Sequence, residues 1–280
     1  MPSRSGALIL SLLLWTAPLH AAEFLGAWDW DGVGGKFGGW SGIDMAPDGS
    51  DFVAVSDRGS LIRGRFVRED GIVAGIDARR PAALLGKGGR PLPEGASDAE
   101  GIALAPDGTV YISFERDHRI GFLKDGRLKR LPVHPDFADF PENGGMEGLA
   151  VDDEGALWTT PEGGSVTAFY RFDGNSWQRG CDLPRSGTFR PVGLDFGPDG
   201  MLYMLERAFF GPFGFAARVR RLDTETCGAD IVLTTRPGQF DNLEGMAVWR
   251  DDRGATRLTM ISDDNFNVLQ RTQIVEWRLP

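Results

Sequence analysis

The sequence predicts an all-β fold, a β-propeller of five or six four-stranded blades, on three observations. A similar segment recurs along the chain, each copy carries a hairpin turn between short alternating strands, and no stretch after residue 22 keeps a helical period for three turns. The copies are residues 40–49, 99–108, 146–155, 191–200 and 243–254. Their shared glycines, Gly42, Gly101, Gly148, Gly193 and Gly245, stand 59, 47, 45 and 52 residues apart, a spacing that suits one four-stranded blade per repeat.

Within each copy a first strand runs into a turn such as Pro47-Asp48-Gly49, where glycine supplies the positive φ that a tight hairpin needs. Second strands are predicted at 52–56, 110–114, 157–160, 202–205 and 258–262, and further strands at 61–67, 119–123, 167–172 and 218–222. The last strand, 274–279, is expected to share a blade with the first, 24–30, and so close the ring and leave no exposed sheet edge. The long interval between Gly42 and Gly101 leaves room for a degenerate sixth blade. Asp48, Asp107, Asp153 and Asp199 read as turn formers.

Arg4, the apolar run 7–15 and the small residues ending at Ala21-Ala22 have the layout of a secretory signal peptide, too short to span a bilayer. The expectation is residues 1–22 as signal and 23–280 as one domain, a monomer in the periplasm or outside the cell. There Cys181 and Cys227 either join outer strands of neighbouring units or remain two separate thiols. A net charge of −10 has the wrong sign for nucleic acid or an anionic membrane surface.

Hairpin topology brings the start of each first strand and the end of each second strand to one face of the disc. Glu100, Glu147 and Glu244 stand at the former position, with Ser41 and Val192 in the first and fourth units. At the latter stand Asp57-Arg58, Glu115-Arg116, Glu162, Glu206-Arg207 and Asp263-Asp264-Asn265. Like charges gathered at one mouth resist ionising together unless cations offset them. Any one of these acids could serve only to accept backbone N–H groups or pair with an arginine between blades. Stability alone, however, does not require the same charge on the same face of each unit.

Oxygen ligands in this number suit a divalent metal, calcium first, held among Asp57, Glu100, Glu115, Glu147, Glu162, Glu244, Asp263 and Asp264. Arg58, Arg116 and Arg207 are placed to grip phosphate oxygens of a small phosphorylated substrate. A serine triad is not expected, because residues 23–280 hold only His118 and His134 and no G-x-S-x-G elbow, and His118 reads as a solvated loop residue. The glycine clusters at 34–39 and 86–89 lack a P-loop ending. The aromatic run 209–215, FFGPFGF, either packs down on its blade or projects to hold an apolar part of a substrate, with packing favoured.

The combination of Asp98-Ala99-Glu100-Gly101, Gly145-Met146-Glu147-Gly148, Leu205-Glu206-Arg207 with residues 218–222, and Asn242-Leu243-Glu244-Gly245 with Ser262-Asp263-Asp264-Asn265 resembles the phytase-like, "esterase-like activity of phytase" family of exported propellers. The resemblance covers nearly all of the chain after residue 22 and implies a hydrolase of phosphoric mono- or diesters. Carried over position by position it points to Glu100, Glu147, Glu206, Glu244, Asp263 and Asp264, of which Glu147, Glu206, Glu244 and Asp263 are assigned catalytic roles. The alternatives are a metal-dependent lactonase similar to gluconolactonase propellers and a non-catalytic ligand-binding propeller.

Overall fold

A computed structural model describes residues 22–32 and 37–280. The predicted signal segment lies outside the described residues except for Ala22. Five sheets are arranged as the blades of a ring. Blade 1 holds β2 (Trp40–Met45), β3 (Asp51–Ser56), β4 (Ser60–Glu69) and β5 (Ile72–Ala78), with the two-residue β6 (Ala82–Ala83) paired to β4. Blade 2 holds β7 (Ala99–Leu104), β8 (Val110–Phe114), β9 (Arg119–Lys124) and β10 (Arg127–Arg130). Blade 3 holds β11 (Met146–Val151), β12 (Leu157–Pro161), β13 (Val166–Phe172) and β14 (Trp177–Pro184), and blade 4 holds β15 (Arg190–Phe196), β16 (Leu202–Phe209), β17 (Phe215–Leu222) and β18 (Ala229–Thr234).

Blade 5 confirms the expected closure: β19 (Asn242–Arg250), β20 (Thr256–Asp263) and β21 (Gln273–Arg278) are completed by β1 (Glu23–Asp29), which pairs antiparallel with β21. The interval between Gly42 and Gly101 holds no sixth blade among the described residues. It is used by the long β4–β5 hairpin, β6 and the connection to β7. Cys181 and Cys227 form a disulfide, with their Cα atoms 6.1 Å apart, tying the outer strand of blade 3 to the β17–β18 turn of blade 4. Among the described residues no helix is long and apolar enough to cross a membrane.

The inner strands pack against one another around the axis, which is why each carries a glycine at the same place. A Cβ on Gly42 would lie 2.6 Å from the Glu100 carbonyl oxygen of blade 2, and one on Gly245 would lie 2.8 Å from the Ile43 nitrogen of blade 1. Only glycine allows backbones to approach so closely. Ile43, Ile102, Leu149, Leu194 and Met246 then fill the axis, leaving a void of about 10 Å³, barely room for one water. Apolar layers fill the space between blades; Trp40, Ile43 and Phe52 of blade 1, for example, pack with Trp249, Ile261 and Ile274 of blade 5. The disc therefore has a plugged centre, and its mouth is a bowl.

Candidate functional site

Every inner strand carries the same register irregularity, between Trp40 and Gly42, Ala99 and Ile102, Met146 and Gly148, Pro191 and Gly193, and Leu243 and Gly245. Two residues there face one on the neighbouring strand, the signature of a β-bulge, which bends the strand and re-aims a side chain. Ser41, Glu100, Glu147, Val192 and Glu244 sit at these bulges. The bulge thus turns Glu100, Glu147 and Glu244 towards the bowl, and all three are buried.

The same pairings fix the second tier. Ser56, Phe114, Pro161, Glu206 and Ser262 pair with the residue just before each bulge, so the next residues, Asp57, Glu115, Glu162, Arg207 and Asp263, are structural equivalents. Blade 4 is offset by one residue from the reading of its sequence, and a one-residue offset in a strand reverses the side chain. Arg207, rather than Glu206, enters the bowl. Glu206, expected among the catalytic acids, is 1% exposed and accepts a bond from Arg218 Nε (2.6 Å) on the other side of the strand.

Arg207 donates to Asn242 Oδ1 (2.8 Å), to Glu162 Oε1 (3.2 Å) and to Glu244 Oε1. Burial works against its charge, but Glu244, Glu147 and Glu162 together raise its pKa above the usual arginine value. It acts as a fixed internal cation for the Glu147–Glu162–Glu244 side of the bowl, so its guanidinium is committed to carboxylates before any substrate arrives. Among the described residues the opposite side has no such cation at its centre. There Asp98, Glu100 and Glu115 each present an oxygen, and these oxygens lie within 4.8 Å of one another.

The remaining predicted residues divide by what holds them. Glu115 Oε1 accepts the N–H groups of Gly144 and Gly145 (3.1 Å to the latter), leaving its second oxygen for the bowl. Asp263 Oδ1 accepts the Asn265 N–H (2.7 Å). Asp264 is taken up by the N–H groups of Gly39 (2.9 Å) and Phe266 (3.0 Å) and by the Thr272 hydroxyl (3.3 Å). Arg58 stacks 3.3 Å from the centroid of the Phe266 ring, and Arg116 pairs with Asp98 at 2.6 Å. Both arginines border a cleft of about 430 Å³ that also includes Asp57, Ser97 and Asp98. His118, expected to be solvated, is half-buried, edge-on to Phe140 and with its Nδ1 shielded from solvent.

Asp57 Oδ1 is buried with no hydrogen-bond partner among the described residues, and neither Glu100 nor Glu147 receives a hydrogen bond from a described residue. Burial followed by repulsion from neighbouring carboxylates pushes Glu100 and Glu147 well above the usual carboxylate range. The same causes raise Asp57 to about 7, with Asp98 the main repelling neighbour, and Asp263 to about 8, with Glu244 the main one. Burial also raises Asp98, and it raises Glu244 despite Arg207. The converging oxygens of Asp98, Glu100 and Glu115, with Glu100 lacking a donor and the partnerless Asp57 Oδ1 in the same bowl, fit a hard cation.

Sequence reasoning missed Asp98 and Asn242 as members of the site. The signal was present: each stands two residues before a bulge glutamate, in Asp98-Ala99-Glu100 and Asn242-Leu243-Glu244. On the opposite face it also passed over Asp44 and Asp195, which accept the Leu104 and Val248 N–H groups of the next blade (2.5 Å each). This is the structural role that the bulge glutamates were alternatively expected to play.

Comparison with solved structures returns propellers of low sequence identity. A luciferin-regenerating enzyme aligns with a TM-score of 0.50 at 11% identity, covering 87% of this chain and 93% of that one. Virginiamycin B lyase from Staphylococcus aureus, with quinupristin, aligns at 0.46 and 16% identity, covering 89% and 69% of the two chains. A gluconolactonase from Xanthomonas campestris aligns at 0.46 and 16%, covering 82% and 69%. A search of curated proteins gives no match. The profile of one family, Phytase-like, described as "Esterase-like activity of phytase", matches residues 35–266, spanning every bulge glutamate and both mouth tiers, and the chain belongs to that family.

Proposed function

We propose that the protein is a metal-dependent hydrolase of phosphoric esters, working as an exported monomer with calcium in the bowl. One observation carries the reading: Glu100 and Glu147 are more than nine-tenths buried with no donor among the described residues, beside the converging oxygens of Asp98 and Glu115. An arrangement of this kind is costly without a cation. Asp98, Glu100 and Glu115 would hold the ion, with Asp57 at the edge of the set. When bound, a divalent cation neutralises these acids, restores ionised carboxylates near neutral pH and draws an anionic ester to an acidic surface.

The chain's own groups supply the rest. Arg58, held by Phe266, and Arg116, held by Asp98, border the cleft and orient the phosphoryl oxygens. A water oxygen forms the new bond to phosphorus as the bond from phosphorus to the alcohol oxygen breaks. Glu147, ionised once the cation is bound, takes a proton from the water, and Asp263, whose protonated form burial and the neighbouring Glu244 favour, gives one to the departing alcohol. Glu244 is held in place by Arg207 and Asn242. The disulfide between Cys181 and Cys227 supports an oxidising location outside the cytoplasm.

The test is turnover of p-nitrophenyl phosphate, bis-p-nitrophenyl phosphate and phytate by the purified protein, with calcium and with chelator. Calcium-dependent release of phosphate or nitrophenol supports the proposal. The absence of turnover under every condition overturns it.

A further inference from the structure

The aromatic run 209–215 does not pack down on its blade. β16 and β17 continue as a ladder past the bowl, through Arg207↔Ala217, Ala208↔Ala216 and Phe209↔Phe215, and lift the hairpin tip above the rim. Phe209 is 64% exposed and Phe213 76%, and across the gap Leu269, in the β20–β21 loop, is 86% exposed. Between Phe209 and Leu269 lies a groove of about 680 Å³, within the usual size of a small-molecule site.

The groove adjoins the edge of the bowl formed by blades 4 and 5. Phe209 stands two residues beyond Arg207 on the same face of β16, and Asp241 in the groove adjoins Asn242, whose side chain bonds both Arg207 and Glu244. Its polar floor is already satisfied internally. Asp241 accepts from Gln270 Nε2 (3.0 Å) and the Arg271 N–H (2.8 Å), its own N–H donates to Gln273 Oε1 (3.0 Å), and Gln273 Nε2 donates to Asp29 (2.7 Å). The apolar part of the lining includes Phe209, Pro212, Phe240 and Leu269, and the exposed Arg271 guanidinium, paired with Asp29 at 3.0 Å, stands at the edge with Gln239.

We infer that this groove binds an aryl or comparably bulky apolar arm of the ester whose phosphate sits in the bowl, so that the enzyme selects phosphoric esters of large apolar alcohols over small ones. The inference rests on the proposed phosphoester reading. Its test pairs 1-naphthyl phosphate with methyl phosphate as substrates, and adds calorimetric binding of the non-hydrolysable 1-naphthylmethylphosphonate, in the calcium-loaded wild type and in Phe209→Ser and Leu269→Ser. Both positions are exposed, so the substitutions leave the core and the carboxylates untouched.

Expected is a KM for naphthyl phosphate raised about tenfold in Phe209→Ser, from the apolar contact removed, with methyl phosphate unaffected. Phosphonate affinity should weaken by the same factor. Unchanged naphthyl KM and phosphonate affinity in both variants overturn the groove while leaving the hydrolase reading intact. Phosphonate binding that weakens in the variants, with no hydrolysis of either ester, keeps the groove and overturns the reaction. Failure of the wild type to bind the phosphonate overturns the groove.

Discussion

Replacing Asp57 by Asn tests the electrostatic premise most directly, because Asp57 pairs a partnerless buried oxygen with a pKa raised from 3.8 to about 7. A carboxylate whose folded pKa exceeds its unfolded value contributes stability that is full below pH 4 and lost as pH rises through 7. A rise of that size corresponds to about 4 kcal/mol of stability lost in the cation-free wild type between those limits. Asn removes the charge but inherits the partnerless position at every pH, so the net gain at pH 8 is about 2–3 kcal/mol, whereas at pH 4 the variant is about 1–2 kcal/mol less stable than the wild type. For a domain of this size the gain at pH 8 is a melting-temperature increase of roughly 4–12 °C. The assay is thermal unfolding in chelator across pH 4–9 for wild type and Asp57→Asn. Calcium at a hundred times its dissociation constant should then stabilise the wild type by about 2.7 kcal/mol, and the variant by less. Parallel pH profiles for the two proteins in chelator, together with no calcium effect, would refute the crowded-carboxylate argument.

Glu100→Gln combined with Glu147→Gln should abolish calcium binding measured by calorimetry, and retained affinity would place the ion elsewhere. Arg207→Met leaves Glu244 and Glu162 facing one another without their cation and should cost about 3–5 kcal/mol in urea unfolding at pH 7, part of it recovered by calcium. Gly42→Ala forces a methyl against the Glu100 carbonyl oxygen and should cost about 3 kcal/mol or more in urea unfolding, where Gly88→Ala, at an exposed glycine with open space and no positive φ, costs far less. Cys181→Ser should cost about 2–4 kcal/mol, read as a lower melting temperature under non-reducing conditions only.

The ring was legible because its determinants are local and repeated. The shared glycines mark where inner strands touch, and the Pro-Asp-Gly turns set the outward hairpins, so blade order and closure follow from spacing alone. The bulges were not legible, since a bulge is a relation between two strands and leaves no residue type of its own; Ser41 and Val192 occupy it as readily as glutamate does. The same blindness misplaced the fourth blade. Glu206 looks like the counterpart of Asp57, Glu115 and Asp263, yet pairing of Pro191 with Glu206 shifts the series by one and delivers Arg207. The exposure of Phe209 and Phe213 likewise depended on how far the β16–β17 ladder continues, which alternation in two short segments does not disclose.

The two faces of the disc supply an internal control on what the bowl means. On the turn face, burial raises Asp44 to about 7, and burial with repulsion from Asp44 pushes Asp195 well above the usual range. A raised pKa therefore does not by itself distinguish a site from a structural acid. Hydrogen bonding does. Asp44 and Asp195 each accept a backbone N–H from the next blade, so their oxygens complete ladders that the twisted inner strands leave open. At the bowl, the bulge removes Glu100 and Glu147 from that duty, and blade 4 replaces two potential acids by Val192 and Arg207. Arg207 reaches Glu162 and Glu244 directly, whereas among the described residues Asp98, Glu100 and Glu115 have only Arg116, which bonds Asp98 from the rim. A strictly repeated ring would have spread its charge evenly. The asymmetry instead gathers the uncompensated acids beside Arg58 and Arg116, where a cation and a phosphoryl group would meet.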